Sequence, residues 1–325
     1  MNYRIFITGS GIAKEALNLL DKHDCVIETG HPHDTFEVLK RKILTFSPDA
    51  IIVRQGSINA EIIDNAPNLK VICKHGTGTD NIDINSATLK YIPVLYTPGT
   101  NSESVAEHTL SLILALSRKI VIEDKKLKNG IFDKRDYNGI ELYKKTLGII
   151  GFGIIGNRLS ALVEPFHMKI LFFDPFFEGK ISSKNIQRCD DVDTLSKESD
   201  FISIHCESTP TTVDMINEKF INQMKNTAYI INTARGNIIN QIDLLKALKS
   251  KTIAGAAIDV FIKEPPDLNS KLFQMDNLIV TPHIAGMSDK SYVDMGKLSA
   301  LNVLNILNNH PIDTKYIKNP NVLNS

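Results

Sequence analysis

The sequence predicts an α/β protein with two doubly wound parallel-sheet domains. Short apolar runs alternate with segments of helical periodicity along most of the chain, which is the pattern of parallel βαβ units. The runs are mostly apolar at every position, as in strands that are covered on both faces. The chain has 325 residues, and its runs are too many for one comfortable sheet, so we expect two domains.

Ten short runs are predicted as strands and two longer periodic segments as helices. The helix expected over 102–118 carries Val105 and Leu112 on one apolar face, and a second amphipathic helix is expected over 288–309. The polar, glycine-containing stretch 124–145 is expected to form a loop or a protruding arm. The predicted strands cover residues 3–7, 50–53, 69–73, 92–96, 146–150, 169–173, 201–204, 228–232, 253–258 and 278–280.

Composition and charge disfavour several classes of partner. Lys plus Arg and Asp plus Glu number 37 each. We therefore expect no nucleic-acid partner and no anionic membrane surface, since both usually require an excess of positive charge. No apolar run approaches the roughly 20 residues that cross a bilayer, and the first residues lack the features of a secretory signal.

The four cysteines, Cys25, Cys73, Cys189 and Cys206, form no CxxC pair. Their scatter predicts neither a disulfide framework nor a structural zinc site, and no residues show the spacing of metal ligands. We therefore expect no metal and a reducing, cytoplasmic location.

The strongest local signal is a glycine-rich turn, Gly151-Phe-Gly153-Ile-Ile-Gly156, that follows a predicted strand and opens a predicted helix. In a dinucleotide-binding turn the first glycine permits the sharp bend. The second lets backbone approach a pyrophosphate, and the third allows close helix–strand packing. Asp174 ends the next predicted strand, where a carboxylate accepts ribose hydroxyls and repels a 2′-phosphate. The pattern favours NAD over NADP; an ordinary tight turn is the alternative.

A second glycine-rich turn lies near the amino terminus, at Gly9 and Gly11, and Glu28 ends the next candidate strand. Lys14 stands where the third glycine would be required. Its long side chain would obstruct close helix–strand packing, so we interpret this segment as an ordinary strand-to-helix turn.

Three polar residues follow predicted strand ends in the second half of the chain: Arg235, Glu264 and His283. Ligands of open parallel sheets bind outside the carboxyl ends of the strands, so these residues are expected near the nucleotide. An Arg, an acid and a His suit the binding of a carboxylate and the transfer of a proton while a hydride moves. Taken singly, each has another explanation: a surface salt bridge, a polar loop and a hydrogen-bonded loop histidine.

Together, these motifs identify a resemblance. The chain resembles the D-isomer-specific 2-hydroxyacid dehydrogenases over nearly its whole length. The resemblance implies that Arg235 orients the substrate, Glu264 pairs with the histidine, and His283 donates the proton during ketoacid reduction. The matching segments are residues 151–156 with Asp174, 232–236, 257–265 and 282–286.

The resemblance also implies NAD as the cofactor and adds contacts to it. Thr233 and Asp259 would lie along the NAD, Ile154 and Ile155 would contact it in the glycine-rich turn, and Cys206 would flank its adenosine end. The family commonly has proline after the position of Cys206, where this chain has Glu.

Substrate residues are implied in the first hundred positions. The segment 74–83 resembles the substrate loop of the family, in which backbone N–H groups at Gly76, Thr77 and Gly78 would hold a carboxylate. Arg54 and Lys74 match cationic positions of the phosphoglycerate dehydrogenase branch. Two cations near a substrate are consistent with a second anionic group such as a phosphate; two solvated cations are the alternative.

The leading substrate is therefore 3-phosphoglycerate. The alternatives are glyoxylate, hydroxypyruvate or another 2-ketoacid, and an NAD-binding transcriptional corepressor is the non-enzymatic alternative. After His283 the chain departs from the sequence seen in some phosphoglycerate enzymes.

The resemblance further implies how the domains are arranged. A flavodoxin-like substrate domain would comprise residues 1–98 and 288–325, with a Rossmann NAD-binding domain, residues 99–287, inserted into it. A homodimer is expected through the helix at 102–118 and the arm that follows, because a long apolar face there needs a partner. Packing of that face within its own subunit is the alternative.

Overall fold

The chain folds into two units, each built on its own parallel sheet. The computed structural model describes residues 2–181 and 183–324. One unit comprises Met1–Asn101 and Met287–Ser325, and the other comprises Ser102–Gly286. Each unit has two apolar clusters of its own, one on each face of its sheet.

The first unit alternates strand and helix, as the sequence predicts. The predicted strand at 50–53 is buried at every position, which agrees with its continuously apolar sequence. The elements are β1 (Arg4–Ile7), α1 (Lys14–Asp21), β2 (Val26–Thr29), α2 (Phe36–Phe46), β3 (Ala50–Val53), α3 (Ala60–Asp64), β4 (Val71–Lys74), α4 (Ile84–Leu89) and β5 (Val94–Leu95).

The second unit begins with a long helix and continues as strand–helix repeats. Its elements are α5 (Ser102–Ser117), α6 (Ile120–Lys128), β6 (Thr146–Ile150), α7 (Ile154–Val163), β7 (Lys169–Phe173), β8 (Ile186–Arg188), α8 (Val192–Glu198), β9 (Phe201–Ile204), α9 (Glu218–Ile221), β10 (Tyr229–Asn232), α10 (Gln241–Ser250), β11 (Gly255–Ile258) and β12 (Leu278–Val280).

The last helix, α11 (Asp289–Leu307), belongs to the first unit. Its residues Val303 and Leu304 share an apolar cluster with Ile5 and Ile7 of β1. Ser288 caps its amino terminus by accepting the Ser291 N–H.

Both sheets confirm the predicted fold class. The first has the order β2-β1-β3-β4-β5, and the second has the order β12-β11-β10-β9-β6-β7-β8, with every pair parallel. The first order is that of flavodoxin-like sheets. The second reverses at β6 and β9, as a Rossmann sheet does. A ligand of the second unit is therefore expected at the carboxyl ends of β6 and β9.

The sequence did not predict β8, and part of the expected arm is helical. β8 lies at the edge of its sheet and is only three residues long, so it has no apolar run to reveal it. Residues 124–128 lie in α6, where a Lys126–Glu123 pair of 2.8 Å and a Lys128–Asp124 pair of 2.7 Å stabilise the helix.

The apolar face of α5 is buried inside its own unit, so the expectation that this face needs a partner was wrong. Leu112, Ile113 and Leu116 join the cluster that covers one face of the second sheet. The helix that follows, α6, does carry exposed apolar side chains, since Ile120 and Leu127 are 55% and 58% exposed.

No helix within the described residues combines the length and the hydropathy needed to cross a membrane. Across residues 2–181 and 183–324, no cluster of three or more His, Cys, Asp or Glu side chains could hold a metal ion.

One aromatic pair offers a test of this core. Phe172 is fully buried and stacks on Phe152 with ring centroids 4.0 Å apart, whereas the nearby Phe176 is 88% exposed. Phe172→Ala should lower the free energy of unfolding by about 3–5 kcal/mol, because it removes packed area and leaves a cavity. Phe176→Ala should change it by less than about 0.5 kcal/mol. Urea unfolding followed by circular dichroism measures both, and equal effects would contradict the packing.

Candidate active site

The glycine-rich turn joins β6 to α7 at the point where the strand order reverses. Gly151 has φ +89°, and a Cβ there would lie 2.7 Å from the backbone nitrogen of Cys206. A Cβ on Gly156 would lie 2.5 Å from the carbonyl oxygen of Gly151. Both positions therefore require glycine, one for the bend and one for close packing of α7 against the turn.

Gly153 is different because it borders open space. A Cβ built on it would have no neighbour within 4 Å, and Gly153 precedes α7 without a side-chain cap. Among the described residues, α7 therefore begins without a side-chain cap and with open space beside Gly153. Ile154, predicted to contact NAD in this turn, is 62% exposed.

Asp174 lies beside the turn, at the end of β7. Its carboxylate accepts the Phe152 N–H at 2.8 Å and the Phe176 N–H at 2.9 Å. The first of these bonds ties the glycine-rich turn to the neighbouring strand. Its charge is therefore fixed at the carboxyl edge of β6 and β7.

Three neighbouring strands carry the predicted catalytic residues at this same edge of the sheet. β10, β11 and β12 are adjacent and in register, with Asn232 opposite Ile258 and Ile258 opposite Val280. Arg235, Glu264 and His283 follow these strands in turn. Because the three strands are adjacent and parallel, residues that are far apart in sequence come close together at this edge.

His283 and Glu264 form a direct pair. The Nδ1 of His283 lies 2.7 Å from Oε2 of Glu264, while Oε1 of Glu264 accepts the Phe261 N–H at 3.0 Å. About half of the His283 side chain is exposed. Its Nε2 has no hydrogen-bond partner among the described residues, so this nitrogen can meet a ligand.

The surroundings of Glu264 keep it ionised. Burial alone would raise the pKa of Glu264. The hydrogen bonds from His283 and from the Phe261 N–H, together with the charges of His283 and Arg235, lower it below its ordinary value. Glu264 thus contacts His283 directly and is also influenced by the charge of Arg235.

The turn that carries Arg235 is held by Asn232, for which the sequence predicted no role. Asn232 is almost fully buried, accepts the Ala234 N–H at 3.0 Å and donates to the Arg235 carbonyl at 2.8 Å. The guanidinium of Arg235 contacts the Ala234 carbonyl at 2.7 Å. An amide residue that ends an otherwise apolar strand was the available sequence signal.

The other predicted cofactor residues differ in accessibility. Thr233 is buried, and its hydroxyl lies 3.0 Å from that of Thr109 on α5. Asp259 is fully buried, and protein donors engage both of its carboxylate oxygens. Cys206 is half-buried, and burial raises the pKa of its thiol to about 11, which keeps it in the unreactive thiol form.

In the first unit, Arg54 is held at the end of β3. Its Nη1 donates to the carbonyl oxygens of Ser10 at 2.7 Å and Gly11 at 2.5 Å, and its guanidinium lies 5.3 Å from the centre of the Tyr292 ring. No carboxylate within residues 2–181 and 183–324 pairs with it. Carbonyl oxygens of the glycine-rich turn at 9–11 thus hold the guanidinium of Arg54 in place.

The loop after β4 is partly engaged by the protein itself. Lys74 donates through Nζ to Oδ1 of Asn81 at 2.9 Å. The Gly76 N–H donates to the Thr97 hydroxyl at 3.0 Å, so it is not available to a carboxylate. Of the three N–H groups predicted to hold a substrate carboxylate, only those of Thr77 and Gly78 have no partner in the part of the chain that the structure describes.

His75 in this loop was not predicted. It is buried, and desolvation, followed by the charge of Arg54, lowers its pKa to about 4. The side chain is therefore neutral beside two cations, which avoids a third positive charge there.

Comparison with known proteins shows which family shares this sequence. Residues 110–285, more than half of the chain, match the NAD-binding domain of the D-isomer-specific 2-hydroxyacid dehydrogenases. The chain is 36% identical over 304 residues to D-3-phosphoglycerate dehydrogenase of Archaeoglobus fulgidus, covering 93% of this chain and 57% of that protein. It therefore spans little more than half the length of that relative.

Two further proteins are similar over most of both chains. Hydroxypyruvate reductase of Thermotoga maritima is 37% identical over 300 residues, covering 90% of this chain and 95% of that protein. D-lactate dehydrogenase of Aquifex aeolicus, solved with NAD and lactic acid, superposes with a TM-score of 0.83 at 30% identity, covering 94% and 96% of the two chains. The chain belongs to the family of D-isomer-specific 2-hydroxyacid dehydrogenases.

Proposed function

We propose that this protein is an NAD-dependent enzyme that interconverts a D-2-hydroxyacid and its 2-ketoacid. The observation that carries the proposal is the His283–Glu264 pair, with 2.7 Å between Nδ1 and Oε2. The pair leaves Nε2 of a half-exposed histidine at the carboxyl edge of the sheet. A histidine whose other nitrogen is held by a carboxylate is a suitable general acid and base.

The residues around the glycine-rich turn fit an NAD cofactor. Open space at Gly153 and the uncapped start of α7 suit a pyrophosphate, because helix N-termini attract anions. Asp174 suits the ribose hydroxyls. When bound, NADH supplies the hydride that reduces the ketone carbon.

The chain's own residues supply the rest of the chemistry. Arg235 suits the substrate carboxylate, because a guanidinium binds a carboxylate through two parallel hydrogen bonds. His283 donates a proton from Nε2 to the ketone oxygen as this oxygen becomes an alkoxide. Glu264 stays ionised and balances the imidazolium charge. In the oxidation direction His283 accepts the same proton.

For the substrate, 3-phosphoglycerate remains the leading proposal, supported by Arg54. A half-buried cation held by carbonyl oxygens, with no carboxylate partner in the described residues, suits a second anionic group of the substrate. Hydroxypyruvate, glyoxylate and other 2-ketoacids are the alternatives.

A panel of 2-ketoacids and D-2-hydroxyacids, assayed with NADH or NAD, tests the function. Turnover of at least one member supports the proposal, and a preference for the phosphorylated substrate that Arg54→Gln removes supports 3-phosphoglycerate. Binding of NAD without turnover of any member would instead favour an NAD-binding regulator.

We also propose a cytoplasmic homodimer. Exposed apolar side chains on α6 and the following segment, including Ile120, Leu127 and Phe132, support a subunit contact there. Light scattering of the purified chain distinguishes a dimer from a monomer.

The preference for NADH should depend on the charge of Asp174. Asp174→Ala removes the carboxylate that would repel a 2′-phosphate, so NADPH should bind about tenfold more tightly relative to NADH than in the wild type. Calorimetric binding of the two cofactors measures the ratio without requiring turnover. Glu178→Gln, which removes an exposed carboxylate nearby, is the control and should leave the ratio unchanged.

Loss of the imidazole should abolish turnover while the cofactor still binds. His283→Asn should lower kcat for ketoacid reduction by about 10²–10⁴-fold, because it removes the proton donor, and should leave the Kd for NADH within about twofold. His310→Asn changes an exposed histidine and serves as the control. A His283→Asn enzyme that retained wild-type kcat would exclude this residue as the donor.

The pH dependence of reduction should reflect the ionised Glu264. The pKa of Glu264 lies below its ordinary value, which is about 4.3, so the carboxylate is present throughout the neutral range and favours the imidazolium. Glu264→Gln should therefore move the alkaline limb of the kcat/KM profile for reduction to lower pH. An alkaline limb in the same place as in the wild type would remove Glu264 from this role.

A further inference from the structure

The turn that carries His283 is organised around one buried carboxylate. The His283 N–H donates to the backbone carbonyl of Asp259 at 2.8 Å. The next two N–H groups, of Ile284 and Ala285, donate to the two carboxylate oxygens of Asp259 at 2.9 and 2.8 Å. Three successive N–H groups thus donate to a single residue, the first to its backbone carbonyl and the next two to its carboxylate.

The conformation of His283 needs this support. Its φ is +55°, in the left-handed region that costs a residue with a side chain roughly 1–2 kcal/mol. Such a conformation persists when surrounding contacts determine it. Here the contacts on the backbone are those that Asp259 and the Thr281 carbonyl make with the turn. The position from which the imidazole reaches Glu264 therefore depends on the Asp259 carboxylate.

Two side chains outside the turn fix that carboxylate. The Thr281 hydroxyl lies 2.5 Å from Oδ1 of Asp259 and donates its only proton to it. Nε2 of His108 lies 3.2 Å from the same hydroxyl. Since the hydroxyl proton is already used, His108 must be the donor, and its proton therefore resides on Nε2. Hydrogen bonds run in one direction, from His108 through Thr281 to Asp259.

The helix α5 anchors this chain of hydrogen bonds. His108 lies on α5, and Ser104, one turn earlier on the same face, donates through Oγ to the Ala285 carbonyl at 2.8 Å. The helix therefore holds the His283 turn at two points, one before and one after His283. Other side chains of α5, including Leu112 and Ile113, pack into the core of the unit, so the helix that carries both contacts is itself held in place.

We propose that His108 and Thr281 are positioning residues for His283, a role that rests on the proposed function of His283 as proton donor. Neither residue touches the reacting atoms. They hold the Asp259 carboxylate so that the two N–H groups bonded to it, those of Ile284 and Ala285, keep the imidazole aimed at the ketone oxygen. Misplacement of a reacting group by about 1 Å can lower a rate by about 100-fold.

Isosteric variants of Thr281 test the proposal. Thr281→Val keeps the shape but removes the hydroxyl, so kcat for reduction should fall by about 10- to 100-fold with the KM for NADH little changed. Thr281→Ser keeps the hydroxyl and should restore kcat to near the wild-type value. Thr314→Val, at an exposed position, is the control. Wild-type kcat in Thr281→Val, or an equal loss in Thr281→Ser, would overturn the proposal.

His108 is tested in the same way. His108→Gln offers an N–H donor close to the position of Nε2 and should retain more activity than His108→Leu. If the two residues act through one chain of bonds, His108→Leu combined with Thr281→Val should lower kcat no further than Thr281→Val alone. Fully additive losses would contradict a shared path.

Amide hydrogen exchange gives a readout that does not require turnover. Peptides that cover Ile284 and Ala285 should exchange slowly in the wild type and at least about tenfold faster in Thr281→Val, because the Asp259 carboxylate loses its anchor. Unchanged protection in Thr281→Val would overturn the positioning role, whether or not the wild type reduces a 2-ketoacid. If the wild type reduced no 2-ketoacid, that result would count against the proposed function and not against the positioning of the turn.

Discussion

The reactive edge of the second sheet depends on one buried carboxylate, that of Asp259. It is fully buried and is compensated by the Thr281 hydroxyl and two backbone N–H groups. A buried charge is tolerated when it is fully hydrogen-bonded, and the same bonds hold the turn that presents His283. Stability and chemistry therefore use the same contacts. A change that loosens Asp259 should disturb the imidazole before it disturbs the sheet.

The parts of the site that could be predicted from the sequence are those with a fixed spacing. Gly151 and Gly156 follow a strand at the positions where the backbone leaves no room for a side chain, so only one residue type fits. Arg235, Glu264 and His283 follow three apolar runs, and parallel strands place their carboxyl ends at one edge. The sequence pattern is sufficient to predict these residues because the parallel sheet brings the ends of its strands together.

The parts that the sequence did not reveal depend on contacts between distant segments. His108 lies on α5 between Glu107 and Thr109, and its partner Thr281 is 173 positions away. The resemblance implied that Asp259 lies along the NAD, but it did not reveal that protein donors engage both of its carboxylate oxygens. The sequence predicted an exposed apolar face on α5, whereas this face is covered by the sheet of its own unit. Burial within the unit, which a pattern does not encode, decides these cases.

The position of the proton on His283 tests the proposed chemistry most directly. Nitrogen-15 NMR of the histidine-labelled protein, assigned with a His283 variant, distinguishes a proton on Nδ1 from one on Nε2. With Glu264 accepting from Nδ1, we expect Nδ1 to stay protonated in both charge states, with a downfield proton signal that disappears when Glu264 is replaced by Gln. A neutral His283 that carries its proton on Nε2 alone would contradict the account, because Nε2 could not then accept a proton from the hydroxyacid.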